Sequence, residues 1–184
     1  MLTRFEQLSR RPLSVVVAMA LNFASLAILF QLEGRFMALT STQVFDTQNG
    51  LTPALLLEQR ALYVGEAREA YLRFAAFDFV FPFVAALALV TLWAFLLQRQ
   101  PHPWLEALRR RRAYLVPFVV TLCDYGENVT LLRALDDPAR AELAIVFKRL
   151  KLVSLASTAT VTWALVFFVV GLWAWRRFAA RRDR

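Results

Sequence analysis

The chain has 184 residues, 59% of them hydrophobic and only 20% charged, with 22 Lys and Arg against 14 Asp and Glu. That is too little polar surface to cover a soluble domain of this size, and five Gly and seven Pro exclude a collagen-like or low-complexity chain. One Cys (Cys123) excludes an intrachain disulfide and a multi-thiolate zinc site, and one His (His102) excludes bis-histidine haem and multi-histidine metal chemistry.

A bilayer crossing needs about 20 apolar residues. Four stretches qualify, at about 13–32, 74–97, 113–132 and 152–175. The first follows Arg4, Arg10 and Arg11 and contains Ala18-Met19-Ala20, which looks like a cleavage motif. Its apolar run continues to about Phe30, longer than a signal peptide needs, so an uncleaved first span is expected. Asp124, Glu127 and Asn128 make the third span the least apolar, and a soluble-core helix is the competing reading there. Its neighbours would leave it little else to pack against. The expected fold class is therefore all-α: an integral membrane four-helix bundle, one domain over 1–184, with an additional amphipathic helix in the first outer loop.

That loop, about 33–73, is too long for a mere connector. Thr52-Pro53 is a helix start, with an N-cap hydroxyl followed by Pro at the first helical position. Ala54, Leu57, Ala61 and Val64 recur on one face of a helix over 53–64, with Gln59 diametrically across. The Leu57 face is expected to pack on the bundle, and Gly65 to end the helix in a left-handed cap. From there residues 66–98 read as one helix of about 50 Å. In the second outer loop, Asp137 reads as an N-cap with Pro138 at the first helical position.

Orientation follows from basic residues. Three segments, before span one, between spans two and three, and after span four, hold 13 of the 22 Lys and Arg against Glu6, Glu106 and Asp183. Four spans put all three on one side, so both termini are expected in the cytoplasm. The basic charge is thereby assigned to topology and to phosphate headgroups of the bilayer, not to nucleic acid. Trp93, Trp104, Trp173 and Trp175 fall near the same end, where an indole can bury its ring and keep its N–H wet.

Ionisable groups inside spans are costly and need a reason. Asp78 precedes Pro82 by four residues. Proline has no N–H to give, so it frees the carbonyl of Asp78. Pro117, Thr121, Asp124, Glu127 and Asn128 share one stripe of span three, and Lys151, Ser154, Ser157, Thr158 and Thr162 share roughly one stripe of span four. The polar groups of spans two, three and four converge in the outer half. Ser154, Ser157, Thr158 and Thr162 read first as interhelical glue. Cys123 reads as inert packing and Tyr125 as an interhelical hydrogen bonder. Asp78, Asp124, Glu127 and Lys151 form either a structural ion-pair network or a small outward-facing site for a cation, a proton or a polar headgroup. Clustered like charges would raise at least one carboxyl pKa. Asp124 lies three residues from Glu127 on one face, so neutralising Glu127 is expected to leave the bare protein as stable while ligand-dependent stabilisation disappears.

The pattern Gly65-x2-Arg68-x2-Tyr71-x6-Asp78-x3-Pro82, followed by Asp124-x2-Glu127-Asn128, resembles a family of bacterial four-span inner-membrane proteins with no assigned activity. The resemblance implies topology and a bacterial inner-membrane location, and draws Arg68 and Tyr71 into the candidate site above Asp78. Three functions follow as expectations: a bundle with an acidic binding site; an accessory subunit docking on a partner membrane protein or a second copy; and an intramembrane lipid-modifying enzyme. The last has least support, because there is no GxSxG, Cys–His pair or aspartate-rich metal motif. No cofactor is expected beyond a divalent cation or a bound lipid.

Overall fold

The computed structural model describes residues 2–182. Its helices are α1 (Leu2–Ser9), α2 (Pro12–Thr40), α3 (Pro53–Gln59), α4 (Gly65–Asp78), α5 (Phe81–Leu96), α6 (Pro103–Arg110), α7 (Phe118–Asp136) and α8 (Ala141–Arg182), and there is no strand among the described residues. Pro12, Pro53 and Pro103 stand in the first turns of α2, α3 and α6, where the missing N–H has no helical partner to lose. Thr52 caps α3 by accepting the N–H of Leu55 at 3.2 Å. Asp137 accepts the N–H of Ala139 at 3.1 Å and starts a 3-10 turn, Pro138–Arg140, that runs into α8.

Four helical stretches are long and apolar enough to cross a membrane: Pro12–Thr40, Gly65–Leu96, Ala113–Asp136 and Pro138–Ala179. Large apolar side chains cover their outer surface, including Val16, Phe23 and Phe30 on α2 and Val153, Trp163 and Phe167 on α8. In water such a belt would be an aggregation surface; in lipid it is the solvated face. The protein is an all-helical bundle built as a membrane protein.

Three expectations need correction. First, α2 continues to Thr40, where Ser41 at φ +57 ends it by donating its N–H to Met37 at 2.8 Å. The loop between α2 and α3 is therefore only residues 41–52. Second, 66–98 forms one helical stretch, Gly65–Leu96, but not an unbroken one. It breaks at Phe79 and Val80, between α4 and α5, because Pro82 supplies no N–H to the Asp78 carbonyl. Third, α3 buries a different face. Leu56 is fully buried while Leu57 is 43% exposed, and the Gln59 side-chain oxygen is buried. The helix also ends at Gln59 and tightens into a 3-10 turn over Arg60–Leu62, so Gly65 (φ +51) opens α4 and does not cap α3.

α7 lies along α8, and α2 lies against α4 and α5. Gly126 permits the close approach of α7 to α8, since a Cβ there would strike the ring of Phe147. Two apolar cores result. One, near the α2–α3 loop, stacks Phe36, Phe45, Tyr63 and Tyr71, with the Phe45 and Tyr63 rings 4.2 Å apart. The other gathers Val90, Trp93, Leu105, Tyr114 and Leu165 at the opposite end. There Arg10 Nε donates to Gln98 at 2.8 Å, and Arg176 donates to Gln100 and to the Pro101 carbonyl. These bonds tie the N-terminal segment, the α5–α6 loop and the end of α8 together as one basic end. Trp93 is buried here at 3% exposure and its N–H goes to Thr162 at 2.8 Å, so it bonds α5 to α8 and is not a wet interfacial indole. Trp104, Trp173 and Trp175 are exposed.

Candidate functional site

The stripe on α7 brings Thr121, Asp124, Glu127 and Asn128 to one buried face. Thr121 donates to the Pro82 carbonyl and Asn128 Nδ2 to the Asp78 carbonyl, each at 3.0 Å. The carbonyl that Pro82 frees is thus taken up by the next helix.

Across from this stripe α8 presents Lys148 and Lys151. Lys151 Nζ bridges Asp124 Oδ1, at 2.6 Å, and Glu127 Oε2. Lys148 Nζ is 3.1 Å from Glu127 Oε1 and donates to the carbonyls of Phe45 and Asp46 at 2.8 and 2.9 Å. Lys148 is 5% exposed and Glu127 fully buried. The loop over residues 41–52 is therefore latched onto the cluster by a lysine on α8. Tyr63 supports the latch, since its hydroxyl accepts the Phe45 N–H at 3.1 Å. Thr47 Oγ1 donates to the buried Glu33 of α2.

The latch carries Asp46 inward. Its two carboxylate oxygens are buried without a hydrogen-bond partner, as are Asp78 Oδ2, Asp124 Oδ2, Asn128 Oδ1 and the Tyr71 hydroxyl, which lies beside Asp46. Asp46, Asp78, Asp124 and Glu127 all act on Lys151. Four carboxyl groups thus surround two ammonium groups. Burial pushes Asp46 up to about 6, with Glu127 adding to the rise and Lys151 and Lys148 opposing it. Burial, with the Asp46 charge, also pushes the Tyr63 hydroxyl up.

Of the residues singled out in the sequence, Asp78, Asp124, Glu127, Asn128 and Lys151 meet here, and Tyr71 lines the edge. Arg68 does not. It is half-exposed and pairs with Asp136 at 2.9 Å, because its position on α4 points it to the end of α7. Glu127 is also not a carboxylate held against repulsion, since Lys148 and Lys151 both pair with it, and this geometry argues against the expectation that the bare protein stays as stable when Glu127 is neutralised. Tyr125 rests its ring 5.8 Å from Phe79, and no hydrogen bond of its hydroxyl is found among the described residues. Ser154 and Ser157 bond to carbonyls of their own helix, whereas Thr162 does link helices through Trp93. Lys148, Asp46 and Tyr63 were not expected. Lys148 had a signal, standing three residues before Lys151 on the same face. Asp46 had a weaker one, a lone acid after Val44-Phe45.

Among the described residues no three His, Cys, Asp or Glu side chains are arranged to hold a metal ion. Lys151 fills the place between Asp124 and Glu127 that a cation would take. No protein-family model matches the chain, and no curated protein or solved structure does either.

Proposed function

We propose that this is a proton-responsive membrane protein, in which the buried cluster accepts protons and the loop over residues 41–52 responds. The observation that carries this is the excess of two carboxyl groups over ammonium groups in the buried cluster, with Asp46 on the latched loop making no ion pair and facing only the Tyr71 hydroxyl beside it. An uncompensated buried charge costs several kcal/mol, so the closed arrangement favours a protonated Asp46. An Asp46 poised at about 6 changes state near neutral pH. When it ionises, its charge faces Glu127 of α7 and Asp78 of α4, with Lys148 and Lys151 of α8 in opposition. The closed loop is then weakened and Lys148 releases it. A proton suits the site better than a metal ion, because lysines already occupy the space between the carboxylates.

The same reading sets the protein in a bacterial inner membrane with the basic end in the cytoplasm and the cluster in the outer half, following the distribution of Lys and Arg. Gln7→Cys and Asn49→Cys, each in a Cys123→Ala background, then label from opposite sides of the membrane. Labelling from one side overturns the orientation.

The test of function uses Val44→Cys in the same background. Val44 is fully buried under the closed loop. The expected result is thiol labelling that accelerates as pH rises through about 6, and that becomes independent of pH when Asp46→Asn is added. Labelling of Val44→Cys that follows only the thiol's own ionisation contradicts the proposal.

A further inference from the structure

The basic end holds a polar pocket of about 530 Å³ lined by Arg10, Gln98, Gln100, His102, Glu106 and Arg109. Beside it runs an apolar groove of about 790 Å³ lined by Trp93, Trp104, Leu108, Val161, Leu165 and Phe168. The two meet, since Leu97 and His102 line both. We propose that they form one binding site for an anionic phospholipid, with the phosphate headgroup in the pocket and an acyl chain in the groove.

The pocket has the chemistry of a phosphate site. Two arginines face one glutamate, and among the described residues neither Arg10 nor Arg109 has a carboxylate within ion-pairing distance. Arg176, bonded to Gln100 and to the Pro101 carbonyl, adds a further positive charge at the rim. Guanidinium forks match phosphate oxygens in geometry as well as charge. Arg10 is already positioned: its Nε is held by Gln98, and the Gln98 amide nitrogen is anchored in turn to the Ala94 carbonyl at 2.7 Å and to Ser9 Oγ at 3.3 Å. That leaves the terminal nitrogens of Arg10 free for a ligand and lowers the ordering cost of binding. His102 accepts the backbone N–H of Trp104 on Nδ1 at 3.3 Å, which puts the ring proton on Nε2 as a further donor.

The groove has the chemistry of an acyl chain, and its depth is right. Exposed Trp104 lines it, and exposed Trp173 and Trp175 stand on the same end of the bundle, the place aromatic side chains take at a membrane interface. His102 and Trp104 both pack edge-on to Phe168, each with ring centres 5.3 Å apart, so the wall where headgroup and chain would join is rigid. A free phosphate ion would use the pocket and leave the groove empty. A zwitterionic lipid would use the groove and meet the arginines with its own cation.

The test uses the full chain, purified in mild detergent, with phosphatidylglycerol, phosphatidylcholine or glycerol phosphate added. Binding is read by native mass spectrometry and by the shift in melting temperature. Wild-type protein is expected to retain phosphatidylglycerol over phosphatidylcholine and to gain nothing from glycerol phosphate. The pair Arg10→Gln and Arg109→Gln weakens phosphatidylglycerol by about tenfold or more, given the usual contribution of each basic side chain at an anionic surface. Ala164 also lines the groove, and Ala164→Trp, which fills it, weakens both lipids. Arg109→Gln alone, at a side chain with no hydrogen bond to lose in the described structure, gives a smaller loss in the same direction and guards against misfolding of the pair. Equal retention of the two lipids by wild type, undiminished phosphatidylglycerol binding by the arginine variants, or stabilisation by glycerol phosphate matching that of the lipid each overturns the proposal.

Discussion

The side-chain amide of Asn128 donates to the backbone carbonyl of Asp78 at 3.0 Å, across the interface of two helices. That carbonyl is vacant because Pro82, four residues on, has no N–H to return to it. The break between α4 and α5 is thus stabilised by a residue on α7, and the break and the site share one cause.

Asn128→Ala therefore leaves a buried carbonyl unpaired and lowers stability by about 1–3 kcal/mol. In a Pro82→Ala background the helix can supply its own N–H, so the same substitution there costs less. Chemical unfolding in detergent of the four proteins measures this coupling. Equal losses in both backgrounds contradict it.

On α3, Leu56→Ala removes a fully buried side chain and lowers stability by about 2–5 kcal/mol. Leu57→Ala, at a 43% exposed position, changes it by less than about 1 kcal/mol. Melting curves of the two variants decide the face.

The contrast between these two predictions shows what the sequence made legible. Pro82 and the carbonyl of Asp78 lie four residues apart, and covalent geometry alone declares the carbonyl vacant. The spans, the Thr52 cap and the Asp137 cap are local in the same sense. Leu56 and Leu57 are neighbours with the same chemistry, set about 100° apart on the helix, and a run of three leucines does not say which of them is buried in the core that holds Phe45 and Tyr63. The latch was harder still. Lys148 reaches the Phe45 and Asp46 carbonyls from about a hundred residues away in the chain. A backbone carbonyl in a loop leaves no mark in the side-chain pattern. Arg68 was drawn to the site by its spacing from Tyr71 and Asp78, but its longer side chain follows the surface to Asp136.

Glu127→Gln and Lys148→Met each strand buried partners and are expected to lower stability by about 3–5 kcal/mol. Asp124→Asn, whose partner Lys151 keeps Glu127, is expected to lower it less. Denaturation at a pH well above 6 measures all three. A Glu127→Gln protein as stable as wild type would remove the lysine bridge from the account.

Stability should also depend on pH through Asp46. Its carboxyl titrates at about 6 in the folded protein against 3.8 as an ordinary aspartate. The folded state therefore binds the extra proton, and the stabilisation is complete below 3.8 and lost as pH rises to about 6. The loss amounts to about 3 kcal/mol. Asp46→Asn lacks this loss, so it matches wild type in acid and exceeds it above neutral pH. Unfolding midpoints of both proteins across that range give the comparison.

The most direct measurement is an infrared titration of the protein in bilayers, following the carbonyl stretch of protonated carboxyl groups. The account predicts that the buried carboxylic-acid absorption growing as pH falls contains a component with a midpoint near 6, and that this component is missing in Asp46→Asn. A spectrum whose only titrating carboxyl band has a midpoint near 4, or a band that persists unchanged in Asp46→Asn, would contradict the claim that Asp46 is the proton acceptor of the cluster.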